Sequence, residues 1–198
     1  MACEGLITAD ILYDCDNSPV GGLETDVILV NVADIDIDAT TFDALNSDIV
    51  TNFQLLAGKT GFLLQGVKQI NSASSELVKK EFSSDKHTHT FNGVVLNVSA
   101  ENKKQINIMS EGAKYVAVID RKWKGASNAE AFQILGLESG LELQTVTWNF
   151  NENDGVLQFS LASTEGFEEP NLPNTLLETD YATTKIAFDA KFAQAALP

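Results

Sequence analysis

Alternation of apolar and polar residues is clearest between residues 128 and 162 of this chain. Two alternating runs there flank the polar segment at residues 151–155, which reads Asn-Glu-Asn-Asp-Gly. Period-two runs on both sides of a tight polar turn are typical of a β-hairpin. This stretch therefore predicts two antiparallel strands, with Gly136 and Gly140 shaping the entry into the hairpin.

Other runs predict further strands. Residues 27–32 and 115–120 are rich in β-branched side chains, a composition typical of buried strands. Residues 79–98 also hold many strand formers, and Asn92-Gly93 within them indicates a turn or a bulge. The Ser/Ala-rich residues 71–78 predict either a loop or an outer strand.

Two more stretches have the same periodicity. Residues 49–67 predict a second hairpin, whose runs flank a turn at residues 57–60. Residues 184–192 alternate and predict the final strand. Between the hairpin at the centre and this strand, residues 164–174 hold two prolines and three acids, which predicts a loop.

One segment has the signals of a helix. Ser99 is a good N-cap residue, residues 100–111 contain helix formers, and Gly112 follows as a stop signal. The alternative for this segment is a short strand at residues 105–109. The helix is the better prediction because the cap and the terminal glycine frame it.

Together these elements predict a mainly β protein, a β-sandwich or small barrel with long hairpins and one α-helix packed on the sheet. Residues 1–24 form a predicted N-terminal arm that ends in a glycine joint, Gly21-Gly22. Residues 25–192 form a single β-rich domain, and residues 193–198 form a small apolar tail. At 44% hydrophobic, the 198 residues can bury a sizeable core.

Charge is distributed unevenly along the chain, whose net charge is −15. Residues 1–58 contain eleven acids and no Lys or Arg, whereas residues 59–140 contain eight acids and eleven bases. Nucleic-acid binding requires cations that neutralise phosphates, so this balance argues against stable binding of DNA or RNA. No apolar run is long enough to span a membrane, and the acidic N-terminus lacks the pattern of a signal peptide, so the chain is expected to be made in the cytoplasm.

Several clusters suggest chemistry, and each has a simpler explanation that we prefer. Asp34, Asp36 and Asp38 alternate with isoleucines, which on a strand places three carboxylates on one face, as a calcium ligand set or as a solvated surface. Asp85, His87 and His89 likewise share one strand face, as metal ligands or as a polar face. The solvated or polar face is favoured in both cases.

Two further groups of residues each have two explanations. Cys3 and Cys15 are either two reduced thiols or a disulfide, and the reduced form is favoured for a cytoplasmic protein. The basic segment at residues 121–124 either contacts nucleic acid or pairs with an acidic neighbour, and the acidic neighbour is favoured in so acidic a chain.

Catalytic motifs are missing from the sequence. It has no nucleophile elbow, phosphate-binding glycine loop, zinc-protease helix or dinucleotide fingerprint, and it contains two histidines. We therefore expect no enzyme activity, no cofactor and no metal.

A resemblance extends over the first forty residues and residues 110–165. It is carried by the Phe-x-x-x-Gly-Leu-x-x-Gly-Leu-Glu pattern from Phe132 to Glu142, and by Met1-Ala2-Cys3 and Asp14-Cys15 at the start. These residues resemble virion structural proteins of Bacteroidetes phages, the crAss-like group included. Such proteins look like subunits of tail tubes or tail-barrel rings, in which β-hairpins from each subunit close a ring around a DNA channel.

The resemblance implies a non-enzymatic virion protein whose partners are copies of itself and other virion proteins. It implies no membrane contact, and DNA that passes through the channel without sticking, because acids facing the channel repel phosphates. The candidate channel-facing acids are Asp34, Asp36 and Asp38. The candidate subunit contacts on the hairpins are Phe53, Leu55, Phe62, Leu64, Trp148 and Phe150.

Two other functions remain open at this point. Within the virion, the protein could decorate the capsid or connect head and tail. In a different class, a β-sandwich could bind carbohydrate on exposed aromatic side chains, for which Trp123, Trp148 and Phe150 are the candidates.

Overall fold

The computed structural model describes residue 7 and residues 9–195 of the chain. In chain order, the strands and α-helices of these residues are β1 (Leu23–Asn31), β2 (Thr41–Phe42), β3 (Ile49–Asn52), β4 (Phe62–Gln65), β5 (Ser72–Val78), β6 (Lys86–Val95), α1 (Ala100–Met109), β7 (Tyr115–Arg121), β8 (Phe132–Leu135), β9 (Glu142–Trp148), β10 (Leu157–Ala162), β11 (Asn174–Leu176) and α2 (Tyr181–Asp189).

Hydrogen bonds join the strands into two sheets. The large sheet has seven strands in the order β2-β3-β11-β8-β7-β1-β4, and the small sheet has four in the order β5-β6-β10-β9. All pairs are antiparallel except β11 with β3. The sheets pack as a sandwich, which confirms the mainly β prediction and decides for the sandwich over the closed barrel.

An inner core lies between the two sheets and under α1. It is formed by apolar side chains from β1, β7 and β8 of the large sheet, from β6 and β10 of the small sheet, from α1 and from the segment before β9: Leu23, Val27, Leu29, Phe91, Val95, Ile106, Met109, Tyr115, Ala117, Ile119, Leu135, Leu141, Leu157, Phe159 and Leu161. Burying one Val, Leu or Ile side chain contributes about 1.5–3 kcal/mol, so this cluster is a main source of stability.

An outer core covers the opposite face of the large sheet. It contains Ile28 and Val30 of β1, Val116 and Val118 of β7, and aromatic residues from α2 and the segment after it. Strands β1 and β7 are therefore buried on both faces, which explains why residues 27–32 and 115–120 are apolar at successive positions instead of alternating.

Helix α1 forms where its cap and stop signals predict. The Ser99 hydroxyl accepts a hydrogen bond from the Asn102 N–H group, and Ile106 and Met109 enter the inner core. The alternative of a strand at residues 105–109 is wrong, because these residues are helical. Helical spacing places Ile106 and Met109 on one face, towards the inner core.

The central hairpin is also confirmed. Strands β9 and β10 pair antiparallel with Trp148 opposite Leu157, and the polar turn lies between them. Residues 71–78, predicted as a loop or an outer strand, form β5 at one edge of the small sheet. Its partner β6 is ten residues long, and residues 86–92 of β6 pair with β5.

The predicted hairpin at residues 49–67 does not form. Strand β3 pairs with β2 and β11, whereas β4 pairs with β1 at the other end of the large sheet. Between the two strands Phe53 and Leu55 turn into the outer core, and Leu55 forms an isolated bridge with Ile35. Burial of these two side chains separates the runs that period-two pairing would have joined.

The predicted final strand at residues 184–192 is wrong, since these residues belong to α2 and the turn after it. The Asp180 carboxylate accepts a hydrogen bond from the Thr183 N–H group and caps the helix. Thr184 and Phe188 face the outer core at helical spacing, while Ile186 lies exposed between them. The short run fits both periods, and the cap at Asp180 is the signal that distinguishes them.

The N-terminal arm is partly described. Within residues 9–22 the regular structure is one 3₁₀ turn at Cys15–Asn17, and β1 begins at Leu23. Cys15 is exposed, whereas Cys3 lies outside the described residues, so its pairing stays a prediction. The division into arm, domain and tail also stays a prediction.

Gly93 occupies a regular position in β6, opposite Phe159 of β10, so the predicted turn or bulge at Asn92-Gly93 is wrong. A Cβ atom at Gly93 would lie 2.4 Å from the Phe159 ring. Glycine is needed here because the ring of Phe159, itself buried in the inner core, fills the space above the strand.

We expect Gly93→Ala to lower the free energy of unfolding by about 1–3 kcal/mol, because the added methyl group overpacks the inner core. Urea denaturation followed by circular dichroism measures this. Gly21→Ala is the matched control, because nothing lies within 4 Å of a Cβ atom there. Equal midpoints for the two variants would show that Phe159 moves aside at little cost.

Candidate functional site

The first candidate site is the buried polar group around His89. Its Nδ1 accepts a hydrogen bond from the Gly136 N–H group at 3.2 Å, and its Nε2 lies 3.0 Å from the Asn171 carbonyl oxygen. Because Nδ1 accepts, the ring carries its proton on Nε2 and donates it to Asn171. The side chain is 2% exposed, so His89 is a neutral structural histidine.

Glu169 completes this group from the loop before β11. Its two carboxylate oxygens accept hydrogen bonds from the N–H groups of Glu138 and Ser139, at 3.1 and 2.8 Å. Its backbone also pairs with His87 in both directions. His89 and Glu169 therefore hold residues 136–139, where the chain passes from the large sheet to the small sheet.

Burial shifts both groups away from their charged forms. It lowers the pKa of His89 from 6.5 to about 4. Burial also raises the pKa of Glu169, although the hydrogen bonds from Ser139 and Glu138 oppose that rise. Such pKa shifts also occur at active sites. Here, however, the hydrogen bonds of the His89 and Glu169 side chains go to backbone groups elsewhere in the chain.

The predicted histidine face does not form a metal site. Asp85 forms an ion pair with Lys79, which lowers the pKa of Asp85. His89 uses both ring nitrogens on backbone groups. Among residues 7 and 9–195, no three His, Cys, Asp or Glu side chains are grouped so that they could hold a metal ion.

The predicted row of three acids on one strand face is wrong. Residues Val32–Asp34 form a 3₁₀ turn, and Asp34 forms an ion pair with Lys59 at 2.7 Å, which contributes to a lowered pKa of Asp34. Asp36 accepts a hydrogen bond from the Ala39 N–H group and closes the next turn. Asp38 is exposed, whereas Asp34 and Asp36 are half-buried.

The six predicted subunit contacts divide into buried and exposed residues. Phe53 and Leu55 lie in the outer core, which corrects their assignment to a contact surface, and Leu64 is partly buried against the inner core. Phe62 is 55% exposed on β4, while Trp148 and Phe150 are exposed at the end of β9. Phe62 lies on an edge strand of the large sheet, whereas Trp148 and Phe150 lie at and just after the end of an edge strand of the small sheet.

Trp148 and Phe150 pack against each other. Their ring centroids are 4.5 Å apart with the planes tilted by 46°, and the Trp148 indole N–H donates to the Gly155 carbonyl oxygen. The Lys103 ammonium lies 5.2 Å from the Trp148 ring centroid. Sugar binding uses an open ring face, so this packing does not favour a carbohydrate platform.

The basic segment pairs with acids of the same chain, as predicted for an acidic neighbour. Lys122 lies 2.6 Å from Glu24 and Lys124 forms an ion pair with Asp120. Trp123, the third carbohydrate candidate, donates its indole N–H to the Asn17 carbonyl oxygen and contacts the arm.

A wide surface groove lies between β4 and α1. Its volume is about 1170 Å³, larger than most small-molecule sites. Apolar side chains dominate it, including Phe62, Leu64, Leu96, Ile106 and Met109. Among the residues that the structure describes, Lys191 is the one charged residue that lines the groove, and no Asp or Glu lines it. In a chain with 28 acids, an acid-free groove is a distinct surface.

Strand β4 forms one wall of the groove and ends the large sheet. The outer edge of this strand is visible only when the register is known, because residues 62–65 were predicted to pair within the hairpin at residues 49–67. Glu169 was likewise hidden in a segment predicted as a plain loop. A run of Glu-Glu-Pro offers no pattern that marks one acid as buried.

Comparison with known protein families, with curated proteins and with solved structures finds no match for this chain. In the part of the chain that the structure describes, no helix is long and apolar enough to cross a membrane.

We expect the free energy of unfolding to fall by about 2 kcal/mol between pH 7 and pH 5 through His89 alone. The unfolded chain takes up a proton below pH 6.5, whereas folded His89 stays neutral down to about 4, so stability present above 6.5 is lost as the pH falls. Urea denaturation at both pH values, with His89→Gln beside the wild type, measures this contribution.

Glu169 and Asp120 have raised pKa values and act in the opposite direction, so the comparison with His89→Gln is the one that isolates the histidine. His89→Gln should be less stable at pH 7 and should show a flatter pH profile. A profile parallel to that of the wild type would mean that His89 takes up its proton equally in both states.

Proposed function

We propose that this protein is a non-enzymatic structural subunit of a bacteriophage virion, a tail tube or tail ring subunit that self-assembles around a DNA channel. The observation that carries the proposal is the open outer edge of β4, with exposed apolar side chains beside an acid-free groove. Open apolar strand edges pair readily with other chains, so a protein that keeps one needs a partner to cover it.

Further exposed apolar residues support a repeated contact between copies. Ile11 and Leu12 of the arm are 90% and 83% exposed, and Phe82 at the tip of the β5–β6 hairpin is 93% exposed. Contacts with neighbouring copies would remove these apolar side chains from water. The resemblance to tail proteins of Bacteroidetes phages supports the same assignment.

The distribution of charge supports passage of DNA without binding. Asp38 and Asp48 are exposed near β2 and β3, at the end of the large sheet that is far from β4. Residues 1–58 contain no Lys or Arg to offset them. A channel lined by this end of the sheet would repel phosphates. The virion is the proposed location, after synthesis in the host cytoplasm.

A capsid decoration or head–tail connector protein would share the same self-association. Copy number per particle and position on the particle distinguish these roles from a tail tube. Labelling the protein on intact virions for electron microscopy would supply both.

We expect the purified protein to form rings or tubes as its concentration rises, because each copy has an edge for a neighbour to cover. Sedimentation velocity and negative-stain electron microscopy measure this directly. Phe150→Ser and Phe62→Ser, compared at equal concentration, report which exposed aromatic residues the contact uses. Monomers alone at the highest concentration reached would overturn the proposal.

We expect the assembled protein not to retain duplex DNA even at low salt, where electrostatic binding is strongest. A mobility-shift assay across a salt series measures retention. Asp38→Lys/Asp48→Lys is the informative variant, since it reverses the charge of two exposed acids and should introduce salt-sensitive retention. Salt-sensitive retention by the wild type would count against a DNA channel.

A further inference from the structure

We propose that the outer edge of β4 binds the N-terminal arm of a second copy of this chain, which adds residues 7–13 to the large sheet as an extra strand. The inference rests on the proposed self-assembly and names the segments that carry it. Strand addition to an open edge is a general mode of recognition, in which backbone hydrogen bonds supply affinity and alternate side chains supply specificity.

The backbone of β4 has groups available for such a strand. The Gly66 N–H group donates to Thr25 at the end of β1, whereas the Gly61 N–H group donates to Lys191 on the opposite side. Neighbouring residues of a strand direct their backbone groups to opposite sides. Leu63 and Gln65 therefore direct their N–H and C=O groups away from β1, where no other described strand pairs with β4.

Up to residue 195, where the described residues end, the chain's own C-terminal segment leaves this edge free. Lys191 contacts Gly61, and three residues later the Gln194 N–H group donates to the Lys59 carbonyl oxygen. The segment thus runs from Gly61 towards Lys59, away from Leu63. It covers the start of the edge and not the part at residues 63–65.

The chain's own arm also lies on the wrong side. The Gly22 carbonyl oxygen accepts a hydrogen bond from Lys122, and the Asn17 carbonyl oxygen accepts one from Trp123. Trp123 follows β7, and the sheet order β8-β7-β1-β4 places β4 beyond β1 on the far side. The root of the arm therefore directs it away from its own β4 and towards a neighbour.

The sequence of the arm suits the groove. Ile7, Ala9, Ile11 and Tyr13 alternate with Thr8, Asp10 and Leu12, so an extended arm presents one mainly apolar face. In β4, Phe62 and Leu64 lie opposite Leu29 and Val27, whose side chains belong to the inner core. An added strand would place its apolar face on this side, in the groove against α1.

Charge favours the same occupant. The arm is acidic, with Asp10 within the inserted residues, and bases are absent from it. The groove has Lys191 and no acid on its walls, so it is a surface of this acidic chain where another acidic segment meets no repulsion. Because arm and edge are different surfaces, the contact repeats head-to-tail into a ring or a tube unless two copies exchange arms reciprocally and close as a dimer.

Site-directed cross-linking between two separately labelled full-length chains tests the pairing. Both chains carry Cys3→Ser and Cys15→Ser. One also carries Asp10→Cys or Leu12→Cys, and the other carries Leu63→Cys. These positions share the face opposite the groove, where directly opposed Cβ atoms lie about 4.5–5.5 Å apart. Mild oxidation of the mixture should give a disulfide-linked heterodimer. Oxidation of either chain alone should give no disulfide-linked dimer.

Two controls make the result specific. Ile11→Cys points to the other face and should give a clear loss of cross-link to Leu63→Cys. Phe82 is highly exposed and does not line the groove, so a chain with Phe82→Cys in place of Leu63→Cys should give no cross-linked product. No heterodimer from Asp10→Cys or Leu12→Cys, or equal yield from Phe82→Cys, overturns the inference.

A backbone variant provides a second measurement. Leu63→Pro removes an outward N–H group that β1 does not use, while Leu63→Ala shortens the same side chain and keeps that group. Sedimentation should show loss of assembly for Leu63→Pro and retention for Leu63→Ala, with circular dichroism confirming that both are folded. Equal assembly of the two variants rejects strand addition.

Electron microscopy of the same samples separates this inference from the proposed function. Rings or tubes without the cross-link would leave the virion subunit standing and reject the arm-to-edge contact. The cross-link with dimers as the largest particle would support the arm exchange and reject the ring or tube.

Discussion

The passage of the chain from the large sheet to the small sheet is the constraint on which the sandwich depends. It takes place between β8 and β9, and Leu137 and Leu141 on either side of it enter the outer and the inner core. Backbone groups forced into such a place need partners, because each buried group without one costs about 1–3 kcal/mol. His89 and Glu169 supply those partners from β6 and from the loop before β11, so one polar group fixes three distant parts of the chain.

The fold could be predicted where local pattern and tertiary packing agree. Helix α1 has a serine cap, a glycine stop and an apolar face, and the β9–β10 hairpin has its own turn, so neither depends on distant residues. Residues 184–192 alternate like a strand, but a run of nine residues also fits the helical period. Packing of Phe188 on the outer core selects the helix. The partner of β4 is decided by β1, which is more than thirty residues earlier in the chain and cannot be read from alternation.

Less of the candidate site than of the fold could be predicted from the sequence. Phe62 is exposed because β4 is an edge strand, whereas Phe53 is buried because the chain turns into the outer core after β3, although both residues stand in similar apolar runs. The acids at residues 34–38 alternate with isoleucines, which predicts one strand face. In the structure Asp34 accepts a hydrogen bond from Asn31 and Asp36 accepts one from Ala39, so both acids belong to turns. Short polar side chains next to backbone N–H groups compete with strand pairing, and periodicity does not register that competition.

The charge of the chain and its apolar edge act over different distances, and this difference matters for assembly. Copies with a net charge of −15 repel one another in solution, but salt screens that repulsion beyond about 8 Å at physiological ionic strength. In the proposed contact, backbone pairing at β4 and burial in the groove act only at short range, where the groove offers no acid to oppose the partner. Repulsion therefore discourages contacts elsewhere on the surface, while the acid-free edge permits one. In the proposed assembly, an acidic subunit with such an edge stays dispersed until a neighbour meets it in the orientation that covers the strand.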